Sequence, residues 1–338
     1  MGSMGSAVRP RWHRALERRL SVISVVVRTY NEAPHIERLL LGLSSQTVDA
    51  EIIVVDSGST DGTAEIADAH GVRVEHIAPE EFSFGRSLNR GFAVATGDFV
   101  VAASAHVYPL RVDWLERLTE PLQREPLVGL AYGRQVGVEQ SRYSERRVFE
   151  QAFPLVSNWN QDHPFCNNAN SAVRRTEWAS QPFDESLTGL EDLAWAKHAL
   201  HRGCRIAYVA EAQIAHFHDE SFQKVLNRFQ REAVAHRQIF PEQRLGVVGA
   251  ANLFARNVAM DYVHAAREGE FGRHALDIPP YRFAQFLGAW RGFRQRGPVS
   301  DALRRRFYYP GRTSPSAAVG DGLEAESGSL LIDYRELG

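Results

Sequence analysis

The sequence contains little cysteine, almost no net charge and no long run of apolar residues. Its two cysteines, Cys166 and Cys204 in 338 residues, argue against a disulfide framework and are typical of a reducing compartment. A formal net charge of −2 gives no sign of a nucleic-acid-binding protein. No apolar run approaches the roughly 20 residues of a membrane-spanning helix, and no secretory signal is visible. We therefore expect a cytoplasmic protein with one large domain and an extension, or two small domains.

The first chemical signal is a strand that ends at an aspartate. Four branched apolar residues in a row, from Ile52 to Val55, predict a strand buried on both faces, as in a parallel sheet. Asp56 follows at the strand end, where open α/β sheets bind their ligands. Thr60 and Asp61 can cap a helix that begins a few residues later. By itself, this pattern also fits a plain strand–turn–helix with Asp56 and Asp61 as turn and cap residues.

A similar unit precedes this strand. Residues 22–27 predict a strand that runs into Arg28-Thr29-Tyr30-Asn31-Glu32, and Pro34 occupies a first-turn position that helices tolerate. Further strands are predicted at residues 72–74 and 99–103. The alternation of strands and helices predicts an α/β fold with a parallel sheet and right-handed crossovers.

The two strand ends together resemble the opening of family-2 glycosyltransferases, which have the GT-A fold. The resemblance rests on "VVVRTYNEAPHIERLL" and "IIVVDSGSTDGT" and covers roughly residues 21–240. It implies a mostly parallel α/β sheet with a C-terminal helical extension. The implied units are a nucleotide-sugar-binding half at 21–108, an acceptor-binding half at 109–220 and a helical extension at 221–310.

The two ends of the chain are predicted separately. Residues 1–6 look like the remnant of an expression tag, and residues 9–20 predict an amphipathic helix, so residues 1–20 are set apart from the domain. Residues 311–329 are rich in Gly, Ser, Ala and Pro. This composition predicts a disordered tail at 311–338.

The resemblance implies a nucleotide pocket built from strand ends and from one helix. Tyr30 would pack on the base, and Asp56 would accept a hydrogen bond from the base or its ribose. Arginine suits the diphosphate because its planar fork donates two parallel hydrogen bonds, although the helix that carries it also fits a solvated surface. The predicted nucleotide-binding residues are Thr29, Tyr30, Glu32, Asp56, Arg86, Asn89 and Ser104.

A metal site is implied at the end of the fourth predicted strand. Family members carry an Asp-x-Asp motif there, whereas this chain has Ser104-Ala105-His106. The resemblance adds a histidine beyond a later strand, here His216 or His218, whose His-x-His-Asp form is similar to bacterial rhamnosyltransferase-like members. Losing a carboxylate favours Mn²⁺ over Mg²⁺ as the divalent cofactor. A hydrogen-bonded His106 without metal is the open alternative.

The catalytic prediction concerns Glu191 and Asp192, which open a predicted helix. Two acids in a first turn also fit ordinary partners of the helix dipole. The family carries a Glu-Asp pair at this place, so the resemblance implies Asp192 as general base and Glu191 as an acceptor-binding residue. The implied reaction is inverting transfer of a sugar from a nucleoside diphosphate to an acceptor hydroxyl.

Partners and alternatives follow from the remaining pattern. The acceptor would be a glycan, a lipid-linked or a small molecule. Helices predicted at 222–238, 246–267 and 280–295 include Trp290, Arg291 and Arg294, which suit peripheral contact with an anionic membrane, a homo-oligomer contact or packing on the domain. A catalytically silent nucleotide-sugar-binding homologue is one alternative. A dinucleotide-dependent oxidoreductase is another, but no G-x-G-x-x-G follows the first strand.

Overall fold

The computed structural model describes residues 23–138, 140–218, 220–309 and 330–334. Its strands are β1 (Ile23–Thr29), β2 (Glu51–Asp56), β3 (Arg73–His76), β4 (Phe99–Ser104), β5 (Val107–Pro109), β6 (Val128–Gly137), β7 (Asn158–Gln161), β8 (Asn170–Arg174) and β9 (Arg205–His216). Its α-helices are α1 (Ala33–Ser44), α2 (Thr63–Ala69), α3 (Phe84–Val94), α4 (Trp114–Arg124), α5 (Tyr143–Ala152), α6 (Arg175–Ser180), α7 (Glu191–His201), α8 (Phe222–Ile239), α9 (Val247–Arg267), α10 (Phe271–His274), α11 (Ile278–Arg294) and α12 (Asp301–Tyr308).

All nine strands belong to one sheet with the order β3-β2-β1-β4-β8-β6-β9-β5, and β7 pairs with β9. The first four strands in this order are parallel to one another, as predicted, and β6 is parallel to β9. Strands β4, β5, β6 and β7 also make antiparallel pairs with β8 or β9. Thr29 lies opposite Asp56, and Arg28 lies opposite Ser104. The carboxyl ends of three strands therefore meet at one edge of the sheet.

Helices cover both faces of the sheet and bury two apolar layers. Leu39, Leu40 and Trp114 belong to the core on one face, and Leu88 and Trp195 belong to the core on the other. The strands between these layers are buried on both sides, which is why β1, β2 and β4 have near-continuous apolar sequences instead of alternating ones.

The C-terminal extension is a set of helices anchored on α8. The helices predicted at 222–238, 246–267 and 280–295 are confirmed as α8, α9 and α11. Gly288 and Gly292 of α11 lie against α8, where a Cβ would meet the backbone of Leu226 and Gln230. Close approach of the two helices therefore depends on these glycines. None of the described helices is long and apolar enough to cross a bilayer.

The structure corrects the tail prediction at residues 330–334. Ile332 donates its N–H to the carbonyl of Leu110 at 3.1 Å, and Leu331 forms a β-bridge with Arg111. Tyr334 is buried and donates its hydroxyl to the carbonyl of Pro109 at 2.7 Å. The prediction rested on the average composition of the Gly- and Ser-rich tail, so it missed this short apolar segment. The segment extends the sheet at β5. The remaining tail residues, and the helix predicted at 9–20, lie outside the described residues.

We expect Tyr334→Ala to destabilise the protein by about 3–5 kcal/mol, because a buried aromatic ring and its hydrogen bond are both lost. Tyr334→Phe keeps the ring and should cost only about 1 kcal/mol. Urea unfolding of both variants measures the difference. Equal stability of wild type and Tyr334→Ala would show that the terminal segment does not pack on β5.

Candidate active site

Hydrogen bonds connect the loops after β1 and β2. Asn31 donates its N–H to Ser59 Oγ at 2.9 Å and accepts from the N–H of Thr60 at 2.8 Å. Glu32 donates its N–H to Thr63 Oγ1 at 2.8 Å. Asn31 has a positive φ of 53°, a conformation that few residues other than glycine adopt. The polar stretch after Asp56 therefore fixes the loop that carries Tyr30 and Glu32.

Asp56, Thr29 and Tyr30 lie together at the ends of β1 and β2. Asp56 is buried, and its carboxylate accepts the N–H groups of Gly58 at 3.0 Å and Ser59 at 3.1 Å. Among the described residues, the buried Thr29 Oγ1 has no hydrogen-bond partner. The ring of Tyr30 packs edge-on against Tyr309 with centroids 4.7 Å apart. We refer to this group of buried polar atoms beside two aromatic rings as the strand-end recess.

Tyr309 is a member of this recess that sequence reasoning missed. It follows α12 and donates its hydroxyl to the carbonyl of Pro79 at 3.1 Å. Nearly 280 positions separate it from Tyr30, and no local pattern in the sequence signals the contact. The helical extension thus reaches back to the strand ends of the first half.

Three histidines converge at the ends of β4 and β9. Ring centroids of His106 and His216 are 5.1 Å apart, and those of His216 and His218 are 4.1 Å apart. One ring nitrogen from each lies within 4.8 Å of the others. The structure therefore brings together the three residues predicted to bind metal.

Each of these rings is held by an oxygen at its Nδ1. The oxygen is Glu32 Oε1 for His106 at 2.8 Å, Gln135 Oε1 for His216 at 2.7 Å and Glu145 Oε1 for His218 at 2.8 Å. An acceptor at Nδ1 places the proton there and leaves the Nε2 lone pair for a ligand. His216 Nε2 is buried without a partner among the described residues. The donor set thus fits a divalent metal.

Burial and neighbouring charges shift the pKa values of these histidines and of the carboxylates that hold them in different directions. Burial by itself would raise the pKa of Glu32 and lower that of His106, but their mutual charge and hydrogen bond outweigh burial, so Glu32 is lowered and His106 is raised. Burial, followed by the charges of the other two histidines, lowers the pKa of His216 well below its usual range. Burial is likewise outweighed at Glu145, whose pKa falls to about 2 beside His218 and Arg228.

Glu191 and Asp192 begin α7 and are both buried. Asp192 accepts the N–H groups of Asn168 at 3.0 Å and Leu193 at 2.7 Å. Burial first, and the charge of Glu191 second, raise the pKa of Asp192 to about 7 despite these hydrogen bonds. A carboxyl group with this pKa exchanges a proton near neutral pH.

Sequence reasoning missed two arginines: Arg28, which contacts this acidic pair, and Arg231, which shares an aromatic ring with Arg28. Arg28 Nη1 is 3.4 Å from Glu191 Oε1. The guanidinium groups of Arg28 and Arg231 lie over the Phe84 ring at 5.0 and 4.6 Å from its centroid. The Nε atoms of both are buried without a partner in the described part of the chain. Arg28 could have been identified from its position next to the Thr29-Tyr30 motif. No sequence pattern indicates Arg231.

Three predicted nucleotide residues have other partners in the structure. Glu32 supports His106. Arg86 donates to Glu185 Oε2 at 2.7 Å. The Asn89 side-chain amide donates to the Phe183 carbonyl and to Glu185, and it accepts from the Phe183 N–H and the Trp178 indole N–H. These four hydrogen bonds use its full capacity. We therefore leave Arg86 and Asn89 out of the proposed pocket. Ser104 lies at the end of β4 beside Arg28.

The sheet order, with helices on both faces of the sheet, is that of the GT-A fold. The fold is similar to that of the mannosyltransferase PcManGT from Pyrobaculum calidifontis, solved in complex with GDP-Man and Mn²⁺. The TM-score is 0.54 at 19% identity, over 89% of this chain and 94% of that one. Residues 24–177 match the model of Glycosyl transferase family 2.

Two relatives are O-antigen chain rhamnosyltransferases. WbaN of Salmonella anatum is 27% identical over 199 residues, which span 55% of this chain and 62% of the relative. RfbN of Salmonella typhimurium is 24% identical over 228 residues, which span 63% of this chain and 72% of the relative. The match thus covers less than two thirds of the first relative's length.

The raised pKa of Asp192 predicts a stability effect that is independent of activity. The folded protein holds this proton more tightly than the unfolded chain, whose Asp titrates near 3.9. The residue therefore costs stability increasingly as pH rises from about 4 to about 7. Asp192→Asn removes this cost and loses one accepted hydrogen bond. We expect it to be more stable than wild type by about 2–3 kcal/mol near pH 8.

Urea unfolding at several pH values measures this difference. The advantage of Asp192→Asn should shrink towards about pH 5, where wild-type Asp192 is protonated in the folded protein. Asp68→Asn, an exposed change on α2, is the matched control and should show no such trend. A constant difference between wild type and Asp192→Asn at all pH values would contradict the raised pKa.

Proposed function

We propose that this chain is an inverting glycosyltransferase that moves a sugar from a nucleoside diphosphate to an acceptor hydroxyl, with Asp192 as general base. The observation that carries the proposal is the buried Asp192 carboxyl at the start of α7, which is fixed by the N–H groups of Asn168 and Leu193. Burial and the neighbouring Glu191 raise its pKa to about 7. An ordinary helix-dipole partner at a first turn would have a lowered pKa, whereas a general base works best near the operating pH.

The donor nucleotide would occupy the recess at the ends of β1 and β2. Tyr30 and Tyr309 offer aromatic surface to the base, and the buried Thr29 hydroxyl lacks a partner among the described residues. The Asp56 carboxylate already accepts backbone N–H groups and retains lone pairs for the base or ribose. Uridine and thymidine diphosphates are the nucleotides that we propose first.

His106, His216 and His218 would hold the divalent metal. Imidazole suits transition metals, whereas Mg²⁺ prefers carboxylate, carbonyl and water oxygens, so we propose Mn²⁺ over Mg²⁺. PcManGT, whose fold is similar, was solved with Mn²⁺. When bound, such a metal supplies positive charge for the departing diphosphate. Arg28 and Arg231, with unpartnered Nε atoms among the described residues, would add positive charge to the same region.

The proposed reaction is a single displacement. Asp192 takes the proton of the acceptor hydroxyl while that oxygen forms a bond to the anomeric carbon. The bond from this carbon to the diphosphate oxygen breaks, and its electron pair leaves with the nucleoside diphosphate. Glu191 pairs with Arg28 at 3.4 Å and lies beside Asp192, where its charge raises the pKa of Asp192 and strengthens it as a base.

The catalytically silent alternative was motivated by the missing carboxylates at residues 104–106. The histidine cluster supplies three nitrogen donors at this place, and the acidic pair is present and buried. We therefore do not favour the silent homologue. Two relatives are named O-antigen chain rhamnosyltransferases. We therefore propose nucleotide-linked rhamnose as the first donor to test and bacterial polysaccharides as the first acceptors.

The metal proposal predicts that His216→Ala abolishes Mn²⁺ binding in the presence of nucleoside diphosphate. Gln135→Ala leaves the three ligands but frees the His216 ring, so Mn²⁺ affinity should fall about 10–100-fold. Isothermal titration with Mn²⁺ measures both. His198→Ala changes an exposed histidine on α7 and serves as the control. Unchanged Mn²⁺ affinity in His216→Ala would remove the cluster from the proposal.

The base assignment predicts that Asp192→Asn lowers turnover by about 10²–10⁴-fold, the usual contribution of a general base. Donor affinity should stay near that of wild type, because the nucleotide recess is built by other strands. In wild type, kcat should rise with pH through about 7 as Asp192 loses its proton. Steady-state kinetics with a nucleotide sugar, and donor titration of the inactive variant, measure these effects.

Glu191→Gln is the comparison for this variant. Near-normal turnover in Asp192→Asn with a large loss in Glu191→Gln would transfer the base role to Glu191. The anomeric configuration of the product, read by NMR coupling, tests the mechanism separately. A product with retained configuration would reject single displacement.

A further inference from the structure

A second concave site lies in the helical extension. A cavity of about 330 Å³ opens between α8 and the C-terminal end of α11. Its lining is made of arginine, glutamine and tryptophan: Gln230, Trp290, Arg291, Arg294, Gln295 and Arg296. Of the described residues that line it, none is acidic. The composition is that of a site for an anion.

The walls of this cavity are held in place by the packing described above. Gly288 and Gly292 bring α11 against the backbone of α8 at Gln230. The Arg294 guanidinium lies over the Trp290 ring at 4.8 Å from its centroid, a cation–π contact that restricts the arginine. Arg237 donates to the carbonyl of Gln295, which fixes the end of α11. The groups around the cavity are thus partly preorganised.

Gln230 connects the cavity with the rest of the molecule. Its side chain is 7% exposed, and its Oε1 accepts from Arg306 of α12 at 3.0 Å. No described group accepts from its amide N–H, which remains available as a donor. Gln230 adjoins Arg231, which packs on Phe84 beside the acidic pair. The cavity is therefore outside the nucleotide recess but is supported by the same helix.

Arginines outnumber acidic residues in this part of the sequence. Residues 288–306 contain six arginines and a single acid, Asp301. Among the described residues, none of Arg291, Arg294 and Arg296 forms an ion pair. By contrast, Arg228 on the other side of α8 pairs with Glu145 at 2.9 Å and Glu220 at 2.6 Å. A solvated charged surface explains exposed arginines on a convex face, but not three of them around one cavity with a buried amide.

We propose that this cavity binds a phosphate-bearing group, either the phosphate of a lipid head group or that of a soluble phosphorylated ligand. Arginine forks match phosphate oxygens with paired hydrogen bonds, and the Gln230 amide adds a neutral donor. The proposal does not rest on the sugar-transfer activity or on the metal site, because none of the cavity residues belongs to either.

Inorganic pyrophosphate is the probe, titrated calorimetrically into the full chain with chelator present so that no metal contributes. We expect saturable binding that weakens as salt rises. Arg291→Gln/Arg294→Gln should bind pyrophosphate about 10–100-fold more weakly, the size expected for loss of charge-assisted hydrogen bonds. Arg256→Gln/Arg267→Gln removes the same charge from exposed positions on α9 and should bind as wild type does.

Flotation with phosphatidylcholine vesicles, with and without phosphatidylglycerol, separates the two sources of phosphate. If the protein floats with the anionic vesicles and pyrophosphate reverses this flotation, the phosphate belongs to a lipid head group. Pyrophosphate binding without flotation identifies a soluble ligand. Absence of pyrophosphate binding to wild type overturns the proposal, whether or not vesicles bind. Equal weakening in both double variants also overturns it, because net charge alone would then explain the binding.

Discussion

Parallel pairing of β1 with β2 and β4 is the constraint on which the remainder of the site depends. This register puts Thr29 opposite Asp56 and Arg28 opposite Ser104, so polar residues from three separate segments share one edge. Burial of both sheet faces leaves the strand ends as the place where these polar groups can meet a ligand. The hydrogen bonds between Asn31 and the residues after Asp56 then fix the loops relative to each other. Every proposed function of this edge begins with that register.

The sequence was sufficient to predict this edge because the underlying signals are local. The branched run from Ile52 to Val55 and the polar stop at Asp56 need no knowledge of distant residues, and the structure confirms the α/β fold and the GT-A architecture. The three histidines were also predicted, through the resemblance. The roles of Asp192 and of the nucleotide residues remain proposals that the geometry supports.

The parts that the sequence did not reveal are long-range contacts of residues with no local signature. Tyr309 meets Tyr30 and Arg231 meets Phe84 only because the helical extension folds back over the first half. Arg86 and Asn89 illustrate a second limit of local patterns. Their spacing on one helix face suited a ligand, whereas in the structure Glu185 accepts from Arg86 and the Phe183 carbonyl accepts from Asn89. The helical period predicts which residues share one face of a helix. It does not predict which other segment of the chain packs against that face.

The departure from the Asp-x-Asp motif is explained by where the carboxylates stand. In that motif a carboxylate is the metal ligand itself, whereas here Glu32 and Glu145 bind the Nδ1 atoms of His106 and His218. Negative charge therefore remains in the site, one imidazole ring further from the proposed metal. A ring oriented by a carboxylate is a more basic ligand than a free one. Glu145 is itself held by Arg228, and Arg228 belongs to α8. The helical extension thus supports the proposed metal site as well as the aromatic wall of the strand-end recess. It is therefore part of the proposed catalytic unit rather than a separate appendage.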